Sequence, residues 1–316
     1  MRRMAMNKPS SILVVVERTQ GASDLIKKAL GIARQFGARV ELFLCEAEQA
    51  YELAHAYDRE GIEDARAESI AKARDYLCDL KAGTHATDIE ITIDAVCESP
   101  LYEAVVRKVL HSTPDLVIKG LAAVHAHQHR TADPNDWQLM RTCPATLMLT
   151  RRRAWHVPPR FAAAVDVSEQ ETPSLPQNVM QAASMLVLPW QASLDVLYGE
   201  SGASDVAVSS HAEKLRSLCD ANGVTRDRTH VLYGPSEETL APFAQERDFD
   251  VLVLGALTHR PAGTVLVGTL TSKLLDALDC DFVLVKSSSY RCPIEDAHEA
   301  AARATPAKGG TLAIFD

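Results

Sequence analysis

Two features in the second half of the chain can together hold a phosphorylated ligand. One is Asp166, directly after the apolar run Phe161–Val165. The other is the segment from Gly255 to Thr269, which follows the apolar run Val251–Leu254 and contains Thr258, His259, Arg260, Gly263 and Gly268. Glycines let backbone N–H groups approach an anion closely. A helix start at Gly268-Thr269 would present unpaired N–H groups and partial positive charge to a phosphate. The Thr269 hydroxyl can donate a hydrogen bond, Arg260 and His259 can add positive charge, and Asp166 can accept from a base or a ribose. The plainer alternative is that the glycines only turn the chain and Asp166 caps the following helix.

Such a site needs a sheet behind it, because ligands of open α/β sheets bind beyond the carboxyl ends of the strands where the winding reverses. The sequence supplies one twice. Short apolar runs at 12–16, 40–45, 89–96, 116–118 and 147–149 read as strands. Helical spacing fills 23–36, 62–82, 99–111 and the stretch around Trp137–Met140, with Ser23 expected to cap the first helix and Gly37 to end it. The second half repeats the order, with strands at 161–165, 194–198, 230–232, 251–254 and 282–285 and helices at 175–187, 205–222, 236–246 and 269–278. Asp115–Gly120 lies over Asp250–Gly255, and the segment opening at Cys143 over that opening at Cys280, each about 135 residues apart.

Continuous apolar strands alternating with helices imply parallel pairing with both sheet faces covered. The expected fold is α/β, with two tandem, doubly wound, five-stranded parallel-sheet domains over residues 10–150 and 160–287 and a tail over 288–316. Arg151–Pro159 is expected to be a solvated linker. The tail is expected to be an exposed helix or unstructured, with Leu312–Phe315 as a weak edge-strand candidate. Two separate sheets are expected; one continuous sheet, or amides around Gly268 sealed from solvent, would end the case for the scheme.

Other constellations are weaker. His125, His127 and His129 alternate along a segment near Asp133 and Asp136, as metal ligands can, although a polar loop explains them as well. Cys45 follows a strand without a neighbouring His or Lys to activate it, so a structural thiol is expected. Tyr51, Leu53, Ala54 and Tyr57 either line a pocket for an apolar ligand or pack under a loop. No G-x-S-x-G, G-x-x-x-x-G-K-[ST] or G-x-G-x-x-G pattern occurs, against a hydrolase elbow, a Walker ATPase and an ordinary dinucleotide site.

The 33 basic and 42 acidic residues leave a net charge of -9, which disfavours nucleic acid and anionic membranes as partners. The seven cysteines contain no C-x-x-C pair, against a disulfide framework or a zinc ribbon. The first apolar run is too short for a signal peptide or a membrane span, so a cytoplasmic protein is expected.

The layout resembles the universal stress protein family. Its nucleotide-binding members carry glycine, two residues, glycine, nine residues, then glycine and serine or threonine after the fourth strand, and an aspartate ending the first. Gly255, Gly268, Thr269 and Asp166 match; Thr258 stands at the second glycine. In the first half Glu17 replaces the aspartate and Thr131-Ala132 replaces the Gly-Thr pair, while the stretch from Asp133 to Pro144 resembles E-type tandem members. The resemblance covers residues 10–287. It implies a cytoplasmic stress-response binding protein, an internal pseudo-dimer that is a monomer or a homodimer of tandem chains. ATP or AMP is the candidate ligand of the second half, with Asp166, Gly255, Thr258, Arg260, Gly268 and Thr269 as the site. Catalysis is expected to be at most weak ATP hydrolysis. The alternatives are a slow adenine-nucleotide hydrolase and an interaction scaffold with vestigial pockets.

Overall fold

Ile12, Val14 and Val16 point into one apolar layer and Leu13 and Val15 into another, all at most 1% exposed. A strand apolar on both faces needs helices on both faces, and that condition organises the whole molecule. The computed structural model of the chain describes residues 8–55, 61–121, 133–168, 171–172, 174–201, 204–259, 265–267 and 269–295.

The first half runs β1 (Ser11–Val16), α1 (Ala22–Phe36), β2 (Arg39–Cys45), α2 (Ala47–Ala54), α3 (Ile62–Gly83), β3 (Ile91–Val96), α4 (Leu101–Ser112), β4 (Leu116–Gly120), α5 (Pro134–Thr142) and β5 (Thr146–Thr150). The second runs β6 (Phe161–Ala164), α6 (Leu175–Val187), β7 (Leu194–Glu200), α7 (Asp205–Ala221), β8 (Thr229–Tyr233), α8 (Ser236–Arg247) and β9 (Val251–Gly255), then a hairpin of β10 (Leu257–His259) and β11 (Val265–Val267), α9 (Thr269–Ala277) and β12 (Asp281–Val285). Local chemistry sets several ends. Gly37 closes α1 at φ 65°, a conformation that suits glycine. Asp133 caps α5 by accepting from the Asn135 N–H at 2.7 Å, with Pro134 in the first turn. The cap expected at Ser23 is absent: α1 starts one residue earlier, behind Gly21, with no side-chain cap.

Two separate sheets were expected, and the structure corrects this. One ten-stranded sheet runs β3-β2-β1-β4-β5-β12-β9-β6-β7-β8. The winding is nevertheless repeated. β1 lies between β2 and β4, and β6 between β7 and β9, all parallel. The halves meet where β5 and β12 pair antiparallel, with Met148 opposite Val283. Each half alone would end in an apolar edge strand with unpaired backbone groups, and pairing the two edges removes both. Antiparallel pairing of equivalent strands is what a local twofold axis through the seam produces. A continuous sheet therefore accompanies the duplication.

The linker is also not a solvated string. Asp281, 1% exposed, accepts from the Arg151 N–H at 2.6 Å, the Trp155 indole at 2.8 Å and the Lys28 ammonium at 2.7 Å. Asp250, 2% exposed, accepts from the His156 and Arg160 N–H groups, and Arg153 pairs with Asp248. Buried carboxylates at the start of β12 and before β9 thus hold the basic stretch against the sheet.

The beginning of the tail docks as well. The carbonyls of Arg141, Thr142 and Cys143, at the end of α5, accept from the Tyr290 hydroxyl, the Cys292 thiol and the Lys286 ammonium. These are the groups that a helix C-terminus leaves unpaired. Cys292 is 2% exposed and anchors this part of the tail, while Ser288, Ser289, Arg291, Pro293 and Glu295 stay exposed. The proposed edge strand Leu312–Phe315 lies outside the described residues.

Candidate functional site

At the ends of β6 and β9, where the winding of the second half reverses, Asp166 and Gly255 line one crevice of about 290 Å³. Tyr198, Ser236, Thr271 and Glu171 supply its other polar groups, and Leu175, Leu254, Leu257 and Leu270 its apolar walls. Asp166 is exposed and accepts from the Ser168 N–H at 2.8 Å. It therefore braces its own loop and leaves carboxylate capacity towards the crevice. Burial and then the Asp166 charge raise the Glu171 carboxyl above its ordinary range. The Thr271 hydroxyl donates to the Gly255 carbonyl at 3.2 Å and fixes the first turn of α9 to the end of β9. Leu175 covers Gly255: a Cβ there would stand 2.7 Å from Leu175 Cδ2.

The described parts of the segment expected to cradle phosphate pair with each other. Residues on either side of its centre form the β10–β11 hairpin, with Thr258 opposite Leu266 and His259 opposite Val265. Thr258 therefore lies on extended, paired backbone and not in a glycine-like turn. The β-branched and aliphatic residues Thr258, Val265, Leu266 and Val267 carry a strand signal that the glycine spacing had overshadowed. Thr269 opens α9 as expected. Arg260 and Gly268 lie outside the described residues. The structure thus brings together Asp166 and Gly255 among the six sequence candidates.

Sequence reasoning missed the floor of this crevice. The Tyr198 hydroxyl lies 2.9 Å from His211 Nδ1, and Glu200 Oε2 lies 3.0 Å from the same nitrogen. Glu200 and His211 are 5% and 8% exposed. Burial and the Glu200 charge raise the Tyr198 phenol well above its ordinary value, so it stays a neutral donor and acceptor at the crevice wall. The signal was slight: Tyr198 and Glu200 share one side of β7 by their spacing of two, but nothing local ties them to His211 on α7.

The matching place in the first half is already neutralised. Lys119, on β4 where the second half has Leu254, is 1% exposed and lies 2.8 Å from both Glu17 and Asp136. Glu17, which stands in the Asp166 position, is therefore spent on an internal cation. The contact to Asp136 is an ion pair without hydrogen-bond geometry, and neither oxygen of that fully buried carboxylate has a hydrogen-bond partner among the described residues. One ammonium serves two carboxylates. Burial works against the Lys119 charge, yet the carboxylates hold its pKa above the ordinary value. Burial also outweighs Lys119 at Asp136 and raises that carboxyl.

The remaining candidates separate on geometry. His125, His127 and His129 lie outside the described residues, and among the described residues no group of three His, Cys, Asp or Glu is arranged to hold a metal. Burial pushes the Cys45 thiol up to about 12, and the thiol lies 3.0 Å from the Glu98 carbonyl. It is no nucleophile at neutral pH. Tyr51, Leu53 and Ala54 belong to α2, where Tyr51 is 60% exposed and packs on His55; Tyr57 lies outside the described residues.

The universal stress protein family model matches residues 165–286. Universal stress protein E of Escherichia coli strain K12 is 22% identical over 90% of this chain and 96% of its own length, so the likeness runs through both halves. Residues 165–286 thus carry a universal stress protein domain. Universal stress protein E homolog of Haemophilus influenzae is 24% identical over 88% of this chain and 97% of its own. A universal stress protein from Archaeoglobus fulgidus shares the fold with a TM-score of 0.67, at 12% identity, over 89% of this chain and 99% of that one. The two crevices of the chain have diverged: Glu17 of the first is paired with the buried Lys119, and Asp166 of the second braces its own loop. No helix among the described residues is long and apolar enough to cross a membrane.

Proposed function

We propose that this tandem universal stress protein is a cytoplasmic stress-response binding protein whose second-half crevice takes an adenine nucleotide, ATP or AMP. The observation that carries the reading is the convergence of Asp166 and Gly255 on one cavity at the winding reversal of β6 and β9. At about 290 Å³ the cavity is nucleoside-sized, near the lower end of ligand pockets at roughly 300 Å³. Among the described residues Asp166 and Glu171 line it and no Lys or Arg does, which suits a base and ribose better than a phosphate chain. AMP is therefore expected to bind at least as well as ATP.

Binding without turnover is the expected chemistry. Slow hydrolysis of adenine nucleotides remains the alternative, and magnesium-dependent turnover lost on Asp166→Ala would favour it. The neutralised first-half crevice supports a scaffold role for that half, with no nucleotide there. No nucleic acid or membrane partner is proposed, and the chain acts as a monomer or as a homodimer of tandem chains.

Calorimetric titration with ATP, AMP and adenosine tests the reading. Wild-type protein should bind one equivalent, and Asp166→Ala and Gly268→Val should each abolish binding while leaving the melting temperature unchanged. A wild-type protein that binds none of the three would overturn it.

A further inference from the structure

A second cavity, of about 660 Å³, lies between α1 and the linker, with Glu17 and Gly120 of the first half on its wall. We infer that it binds a small, flat aromatic compound bearing a single negative charge, a carboxylate or a sulfonate. This inference is independent of the nucleotide reading, since it uses a different cavity and none of the same residues.

The size falls inside the range of roughly 300–1,000 Å³ typical of small-molecule sites. The walls are chiefly apolar. Leu25, Leu121 and Trp190 line the cavity and are only half-buried, so each keeps apolar surface unmatched by protein. Trp190 is held edge-on against Trp155, with ring centres 5.5 Å apart at 69°, and Trp155 is itself tied to Asp281. The aromatic wall is thus anchored to the buried linker hub.

Gly31 adds an independent sign that the space is kept open. It sits inside α1, where glycine costs about 1 kcal/mol against alanine. Its φ is not positive, and a Cβ there would meet nothing within 4 Å. Neither backbone conformation nor close packing requires glycine at this position. It lines the cavity, as do Gly21 and Gly120, and bare backbone gives flat walls suited to a planar ligand.

Charge selects the class. Five basic and two acidic residues line the cavity, but most are engaged. Lys28 is held by Asp281, Arg153 by Asp248, and Glu17 by Lys119, Lys27 and Asp24 lie 3.9 Å apart, and Arg151 donates to the Leu275 carbonyl. Arg152 has no ion-pair partner among the described residues, and its guanidinium lies over Gly21 at the mouth. The exposed Arg152 beside an apolar cleft matches one anionic charge on a hydrophobic body. Glu17 and Asp24 on the same rim repel a polyanion.

The probe is 1-anilinonaphthalene-8-sulfonate, titrated into the intact protein and followed by dye emission and by quenching of tryptophan emission. Wild type should bind one equivalent saturably. Gly31→Phe, which fills the cavity, and Arg152→Glu, which reverses the charge, should each weaken binding by about tenfold or more. Uncharged N-phenyl-1-naphthylamine should bind about tenfold more weakly than the sulfonate. Saturating ATP should leave the dye bound. Absence of saturable binding, unchanged affinity in both variants, equal affinity for the uncharged dye, or displacement by ATP would each overturn the inference. If Gly31→Phe lowers the melting temperature, the exposed Arg152→Glu decides.

Discussion

Replacing Lys119 with methionine should be among the most damaging single changes in the first half, and the structure indicates why. The methionine fills most of the lysine's volume, so the cost is electrostatic. Glu17 is 38% exposed at its side chain and can turn to water, but Asp136 is fully buried and keeps no counter-ion. Removing one partner of a buried ion pair costs about 3–5 kcal/mol. For a protein of this size that corresponds to a fall in melting temperature of about 10 °C. The second half holds the remedy, since Leu254 occupies the place of Lys119 and is buried among apolar neighbours. Lys119→Met with Asp136→Leu should therefore return to within about 1 kcal/mol of wild type, because replacing a buried pair by apolar groups is often neutral or stabilising. The single variant should also carry a pH signature. Burial raises the Asp136 carboxyl from its ordinary 3.8, and losing Lys119 raises it further. The folded state then holds a proton that the unfolded state has lost, so stability falls as pH rises through that window. The deficit of Lys119→Met should shrink as pH is lowered from 8 towards 4. Urea unfolding followed by circular dichroism at several pH values measures this. A single variant within 1 kcal/mol of wild type, or a double variant no better than the single, would refute the reasoning.

Lys286 allows a second pH test. Burial lowers its ammonium to about 8 from 10.5. Between those values the unfolded chain binds more protons, so the wild type gains stability as pH rises from 8 to 10.5, by about 3 kcal/mol in all. Lys286→Met lacks this gain, and its stability relative to wild type should decline across the window in denaturant titrations. Asp281→Asn should cost about 3 kcal/mol by weakening three hydrogen bonds, including one from an ammonium. It should also speed tryptic cleavage at Arg151–Arg153, measured by gel or mass spectrometry. Because β5 and β12 join the halves into one sheet, calorimetry should show a single transition with equal calorimetric and van't Hoff enthalpies; two resolved peaks would contradict that.

The sequence by itself determined the winding and its duplication. The runs Ile12–Val16 and Val251–Leu254 are apolar at every position, and that pattern belongs to a strand covered on both sides. It also placed Asp166 and Gly255 at strand ends, since the residue after a buried parallel strand emerges at the sheet rim. The hairpin through Thr258 was legible in its β-branched residues, yet glycine spacing was read ahead of them.

Tertiary structure alone decided which groups meet. Lys119 stands just beyond the apolar run 116–118 and entered the sequence reading only within the repeat Asp115–Gly120, and its carboxylates come from a strand end and a helix that are distant in the chain. Asp281 gathers groups from α1 and the linker, and Lys286 caps a helix of the other half. Periodicity reports which side chains are buried, because burial follows from the face of one element. It does not report their partners, because a polar group buried far from its neighbours in sequence is satisfied only when two elements are packed together.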